Sequence, residues 1–268
     1  MTRTAIIAGA GGLPAALVAA MEARPFVAAL EGFAPRGVEP DLWFRVERLV
    51  PFLRALEDAG VTRVCFAGAV QRPRLDPALF DPDTAGMVPR LLAAMQQGDD
   101  ATLREVLAIF AEAGFALAGV AEVAPALVPG AGLLCGEVTA RDRADADRAA
   151  GIVAALGAVD VGQGAVVQQG LCLAVEALPG TDAMLAGVAA IPAGLRPAGA
   201  RGVFYKAPKP AQDRRIDLPA LGVETVRRVA AAGLGGIVFE AGGVICLDLP
   251  AMVTEAQAAG LFLWAREP

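Results

Sequence analysis

The residues best equipped for chemistry gather after Tyr205. The segment Lys206-Ala207-Pro208-Lys209-Pro210 runs on to Asp213, Arg214, Arg215, Asp217 and Pro219, joining four cations and two acids on one stiff connection. Cations so placed can clamp phosphate oxygens while a carboxylate holds a metal or orients water, which is the minimum equipment for phosphoryl transfer. The prolines pre-set the backbone and so fix charges that solvation alone would leave mobile. Both lysines of the chain, against 21 arginines, stand here beside its one tyrosine. That pairing points to a need for compact point charges rather than guanidinium forks.

A second candidate is Gly9-Ala10-Gly11-Gly12-Leu13-Pro14, which follows an apolar run and opens a helix. Backbone amides there could hold a phosphate or contact a nucleotide. Pro14 occupies the place of the third glycine of the dinucleotide fingerprint, which disfavours a dinucleotide-dependent oxidoreductase. A tight strand-to-helix turn with an early proline accounts for the segment equally well. Gly98-Asp99-Asp100 and Gly180-Thr181-Asp182 read first as helix caps, and as polar sites only where they face a ligand.

Absences narrow the chemistry further. The chain has no histidine, serine or asparagine. A Ser-His-Asp triad, a Cys-His pair and a histidine-ligated zinc site are therefore excluded. Nine threonines, four cysteines and one tyrosine remain beside the carboxylates and cations. Hydrolysis with that set calls for a hard cation on Asp or Glu oxygens. Cys65, Cys135, Cys172 and Cys246 lack CxxC spacing and read as buried reduced thiols. The net charge of −6 argues against a nucleic-acid partner. No apolar run reaches the roughly 20 residues of a membrane-spanning helix. The N-terminus lacks a signal-peptide pattern, so the expected location is the cytoplasm.

The elements that must position these residues fall into two α/β domains, as 268 residues allow. Apolar runs predict strands at 4–8, 26–30 and 63–68. Helical periodicity predicts helices from Pro14, near 42–59, near 87–96, and from Gly98 to Gly114. This is the alternation of a doubly wound fold. The Pro/Gly/Ala-rich stretch 125–136 places the boundary, giving domains 1–132 and 133–268. The second, smaller α/β domain is expected to carry a mixed sheet. Its expected elements are a helix over 142–157, a hairpin over 162–175 turning at Gln169-Gly170, and a short helix capped by Thr181 or Asp182. A strand ending at Lys206, a helix over 223–232 and a hairpin over 236–248 turning at Gly242-Gly243 complete it.

The blocks 7–14, 65–73, 98–104, 160–167, 180–185, 206–210 and 215–222, in this order and spacing, resemble the UDP-2,3-diacylglucosamine pyrophosphatases of lipid A biosynthesis. The likeness is to the type distinct from the metallophosphoesterase-fold enzymes, and it runs nearly end to end. It implies Mg²⁺-dependent hydrolysis of a UDP-linked glycolipid to UMP and 2,3-diacylglucosamine 1-phosphate, with the substrate between the domains, and a homodimer. By the same resemblance Gly11, Gly12, Leu13, Gly68, Arg72 and Asp99 look like nucleotide contacts. Asp100, Gln163, Lys209 and Arg215 join them as substrate-binding residues. Thr181, Asp182 and Lys206 would face the diphosphate and sugar, Lys206 as a catalytic cation. Asp217 looks like the essential acid, as metal ligand or water orienter. Ala69 departs from the pattern, which has a polar residue there. Two acyl chains require an apolar chamber or transient, peripheral contact with the inner membrane. The alternative is a non-catalytic nucleotide-sugar or glycolipid binding protein that keeps the cleft and performs no hydrolysis.

Overall fold

A computed structural model describes residues 2–71, 75–210 and 212–268, without the side chains of Asp99 and Asp100. The expected contact Arg72 lies outside the described residues. The chain forms two compact units, Met1–Ala124 and Pro125–Pro268, so the second, expected to be the smaller, is the larger, because the chain passes into it at Pro125 rather than after 132.

In the first unit the strands are β1 (Thr4–Ala8), β2 (Phe26–Leu30), β3 (Leu42–Phe44), β4 (Arg63–Ala67) and β5 (Ala116–Leu117). Between and after them run the helices α1 (Leu13–Ala20), α2 (Leu49–Asp58), α3 (Pro82–Ala85), α4 (Val88–Gln97), α5 (Asp99–Glu112) and α6 (Val120–Val123). Among the described residues the sheet is parallel in the order β3-β2-β1-β4-β5. This is the doubly wound arrangement, in which strand order reverses beside the first strand. The expected helix over 42–59 is corrected at its start. Residues 42–44 pair with β2, and a 3₁₀ turn at Val46–Arg48 leads into α2. Leu42, Trp43 and Phe44 are aromatic and branched residues that an open sheet edge recruits, and tertiary pairing overrides the helical period.

One face of this sheet, with Ala5, Ile7, Ala28, Leu30 and Val64, packs on α2 and α5 through Leu49, Phe52, Leu56, Ile109 and Phe110. Phe110 lies at the centre, edge-on to Phe66 at 5.1 Å and to Phe52 at 6.2 Å. Such edge-to-face pairs add to the burial of the rings themselves.

In the second unit the strands are β6 (Gly132–Cys135), β7 (Gly164–Gln168), β8 (Leu171–Val175), β9 (Val203–Lys206), β10 (Ala220–Leu221), β11 (Gly236–Glu240), β12 (Ile245–Cys246) and β13 (Phe262–Arg266). Its helices are α7 (Ala140–Gly157), α8 (Gly180–Ala189), α9 (Val223–Ala231) and α10 (Leu249–Ala258). Among the described residues the main sheet is mixed, in the order β6-β13-β11-β9-β7-β8. Strands β9, β11 and β13 are parallel to one another, β7 is antiparallel to β9, and β8 to β7. Successive residues send side chains to opposite faces. Val166, Phe204, Ile237 and Phe239 accordingly join the core under α8, α9 and α10, while Ala165, Val167, Val203, Tyr205 and Val238 pack under α7.

The hairpin expected over 162–175 forms, with Gln169 (φ 52°) and Gly170 (φ 78°) at the turn. Glutamine is an unusual choice for positive φ. The turn is held by Asp145 of α7, a fully buried carboxylate that accepts from the Gln169 and Gly170 amides at 2.9 and 2.7 Å. The hairpin expected over 236–248 does not form. β11 pairs in parallel with β9 and β13, and β12 pairs in parallel with β10. The glycine pair at 242–243 looks locally like a hairpin turn, but a buried strand such as β11 takes whichever partners the core aligns. The expected cap at Thr181 or Asp182 is also corrected. The residue before α8 is Pro179, and no side chain caps the helix.

Phe110→Ala should lower the stability of the first unit by about 3–5 kcal/mol, the usual cost of emptying a buried aromatic site. Urea unfolding followed by circular dichroism checks this. An unchanged midpoint would contradict the central place of this ring.

Candidate active site

The ends of β9 and β11, the start of β7 and the end of β8 lie at one end of the mixed sheet. Lys206 closes β9 and is almost wholly buried. Its Nζ donates to Glu176 Oε2 at 3.0 Å and to the Thr181 hydroxyl at 2.5 Å, and that hydroxyl donates to Glu176 Oε1 at 3.0 Å. Thr181 is free for this contact because it does not cap its helix. Asp182, the next residue, instead meets Arg228 at 3.2 Å.

A second network lies beside the first. Gln163 precedes β7, and its carbonyl accepts from the Ala207 amide at 3.0 Å. The Gln163 side chain donates to Gln212 Oε1 at 2.6 Å, and the Lys209 backbone amide donates to the same oxygen at 3.0 Å. Two donors on one oxygen settle which way the Gln212 amide faces. Its Nε2 is therefore turned to Asp217, where it donates to Oδ2. Asp217 is exposed.

All four cations of the segment are paired with carboxylates. Lys206 meets Glu176, Lys209 meets Asp160 at 2.5 Å, Arg214 meets Glu240 at 2.6 Å, and Arg215 meets Asp213 at 2.6 Å. Arg215 holds the Asp213 carboxyl below its ordinary range, chiefly by hydrogen bonding. Burial, aided by the nearby charge of Glu240, pushes the Tyr205 phenol up, so it stays protonated. The pairs differ in exposure. Lys206 and Glu176 are 5% and 12% exposed, whereas Asp160 is 79% exposed. An exposed pair is worth little and can be exchanged for a ligand anion, while a buried pair is costly to break.

In the first unit, β1 and β4 are adjacent, and Gly9 to Leu13 and Gly68 follow their carboxyl ends. This is the switch point where open α/β sheets bind ligands. Ala10 and Ala69 exchange backbone hydrogen bonds at 2.9 Å, which ties the two turns together. Gly68 has φ +99°, and a Cβ there would meet the Gly9 carbonyl carbon at 2.7 Å. Gly11 and Gly12 differ, for a Cβ at either would meet nothing within 4 Å. The first contact thus explains a packing glycine, while Gly11, Gly12 and Leu13 leave an accessible helix N-terminus. Asp99 and Asp100 begin α5, after Gly98 at the cap position, and their side chains lie outside the described residues.

Sequence reasoning missed Glu176, Gln212, Asp160 and Glu240. Asp160 and Gln212 lay inside the 160–167 block and the charged connection without a role, and the glycines at 162, 164 and 243 marked close approaches to Glu176 and Glu240 without naming the neighbour. The cavity of about 570 Å³ at the opposite end of the second unit's sheet, lined by Glu137, Arg201 and Phe262, contains none of the expected residues. Burial pushes the thiols of Cys65 and Cys246 up to about 12. They stay protonated at neutral pH and take no nucleophilic part, whereas Cys172, expected to be buried with them, is exposed on the outer strand β8.

The fold is that of a two-unit α/β protein with a switch point in one unit and a charge-paired loop in the other. The family models for the LpxI N-terminal domain and the LpxI C-terminal domain match residues 3–127 and 130–264. The chain is also 42% identical, over 279 aligned positions spanning 100% of it and 99% of the relative, to the UDP-2,3-diacylglucosamine pyrophosphatase LpxI of Caulobacter vibrioides. The chain belongs to the LpxI family.

With a thiol reagent at neutral pH, Cys65 and Cys246 should remain unmodified in the folded protein and react once it is unfolded in guanidinium. Peptide mass mapping checks this. Rapid labelling of either in the native state would contradict their burial.

Proposed function

We propose that this protein hydrolyses the pyrophosphate of UDP-2,3-diacylglucosamine to UMP and 2,3-diacylglucosamine 1-phosphate, a step of lipid A biosynthesis. The observation that carries the reading is the full-length similarity to the Caulobacter vibrioides enzyme. The site geometry supports it, because a chain without histidine or serine has collected acids, amides and cations on one loop.

Each group has a part in that reading. The Gly11 to Leu13 turn offers backbone amides to the nucleotide. Lys209, whose partner Asp160 is exposed, is placed to exchange it for a phosphate oxygen. Arg215 does the same against Asp213. Lys206 contributes a fixed positive charge beside Thr181. Asp217, aimed by Gln212 through one oxygen, keeps the other for a metal or for attacking water.

Mg²⁺ is part of the proposal. Among the described residues no three His, Cys, Asp or Glu side chains gather as a metal cage. Mg²⁺ does not require one, since it is commonly held by one or two carboxylates with waters and substrate phosphates. Asp217 fits that role, and Mg²⁺ bound there supplies charge neutralisation at the diphosphate.

The homodimer is supported by β8, an outer strand of its sheet among the described residues. It carries no charged residue and exposes Leu171 and Val175, the kind of edge a second copy can cover. Among the described residues no helix is long and apolar enough to cross a membrane. The two acyl chains would then be met by apolar protein surface or by transient contact with a membrane from its cytoplasmic side.

Asp217→Ala should reduce UMP release at least about a thousandfold with the fold intact, as expected for loss of an essential charged group. EDTA should stop the reaction and Mg²⁺ restore it. Wild-type turnover in the variant would remove Asp217 from the mechanism, and activity indifferent to EDTA would remove the metal. Purified wild-type protein that binds the glycolipid but releases no UMP would establish the binding-protein reading instead.

A further inference from the structure

The buried pair at the end of β9 carries more than the family resemblance assigns. A lysine ammonium withdrawn from water needs a counter-charge, and without one it gives up its proton or draws in water. Lys206 has that counter-charge in Glu176, 30 residues earlier in the chain, with Thr181 bridging the two.

The seat of Glu176 explains the Gly162-Gln163-Gly164 block. Gly162 has φ +58°, and a Cβ there would lie 1.9 Å from the Glu176 carbonyl oxygen. At Gly164 a Cβ would lie 2.8 Å from Glu176 Oε2, the oxygen that Lys206 holds most closely. The Glu176 amide donates to the Gly164 carbonyl at 2.8 Å, locking the residue after β8 onto the start of β7. Gly162 therefore makes room for the Glu176 backbone, and Gly164 for its carboxylate and for the Phe204 ring, which a Cβ would meet at 2.9 Å. Gln163, between them, serves the Gln212–Asp217 network. The block thus supports the two expected catalytic residues from a single turn.

We propose that Glu176 is a positioning residue for the reaction, holding the Lys206 ammonium in place through a carboxylate whose seat Gly162 and Gly164 leave open. This deepens the hydrolase reading above and rests on it. A loose lysine at the same place would swing among partners. With two of its N–H directions committed to Glu176 and Thr181, its position is fixed before substrate arrives. Such preorganisation acts on charge that develops in the reaction more than on ground-state binding, so its loss should appear in kcat rather than in KM.

The test compares Glu176→Gln, Glu176→Asp, Gly164→Ala and Lys206→Met, each assayed for UMP release from UDP-2,3-diacylglucosamine and for thermal unfolding. Glu176→Gln keeps the shape and an acceptor but removes the charge, and should lower kcat about 10- to 100-fold with KM changed less than about threefold. Glu176→Asp should recover part of the loss. Adding Lys206→Met to Glu176→Gln should cost much less than Lys206→Met alone, because the two residues act as one unit. Gly164→Ala, whose added methyl meets the Glu176 carboxylate at 2.8 Å and the buried Phe204 ring at 2.9 Å, should lower kcat in the same direction and, where its unfolding temperature stays that of the wild type, keeps the test open if Glu176→Gln does not fold. Wild-type kcat in Glu176→Gln while Lys206→Met is impaired would overturn the positioning role. Equal losses in Glu176→Gln and Glu176→Asp with a lowered unfolding temperature would reduce the pair to a structural staple and also overturn it. Absence of UMP release by the wild type would overturn the hydrolase reading itself, which the variants then could not address.

Discussion

A positive charge out of water has to be matched, and in the second unit the matching of Lys206 by Glu176 organises the neighbourhood. Removing one member of a buried pair typically costs about 3–5 kcal/mol, a large share of a domain's stability. The pair joins the end of β8, the first turn of α8 and the end of β9. Its carboxylate, together with the Phe204 ring, leaves room only for glycine at 164, while the backbone of residue 176 does so at 162. Around it the remaining cations of the segment are balanced one by one, so the loop carries four positive charges without a net field that would disorder it. Exposure then sorts them. The Lys206–Glu176 pair is permanent and the buried Glu240 carboxylate binds Arg214 at similar cost to break, whereas Lys209, paired with the exposed Asp160, can pass to an arriving anion at small cost.

The first unit solves a different problem with backbone alone. Its sheet reverses order beside β1, so the turns after β1 and β4 lie side by side at the carboxyl end of the sheet. They approach closely enough to exchange hydrogen bonds, and glycine at position 68 is required by that approach. Gly11 and Gly12 at the start of α1 meet no such neighbour, though Gly11 has a positive φ of 99°. Close packing thus falls to Gly68, and open space to Gly11 and Gly12.

Much of this was legible in the residue order. Strands 4–8 and 26–30 and the hairpin turning at Gln169-Gly170 agree with the structure because alternation and turn residues act over a few positions. The readings that failed had the right local signals but the wrong partners. Residues 42–44 continue a helical period into a strand because β2 offers an edge. The Gly242-Gly243 pair looked like a hairpin turn, yet β11 sits between two parallel neighbours. Thr181 had the type and position of a cap, and the buried lysine claims its hydroxyl instead.

By itself the sequence determined which chemistries are closed to this protein, because no arrangement can supply a missing imidazole or seryl hydroxyl. It also determined that cations, prolines and Asp217 share one connection, since adjacency in the chain survives folding. Arg215 meets Asp213 two positions away, but only the tertiary structure decided which acids Lys206, Lys209 and Arg214 meet. Glu176 and Lys206, and Asp160 and Lys209, stand 30 and 49 positions apart. Those pairings follow from strand order and burial, which depend on the whole core and leave no mark in any short stretch of residues.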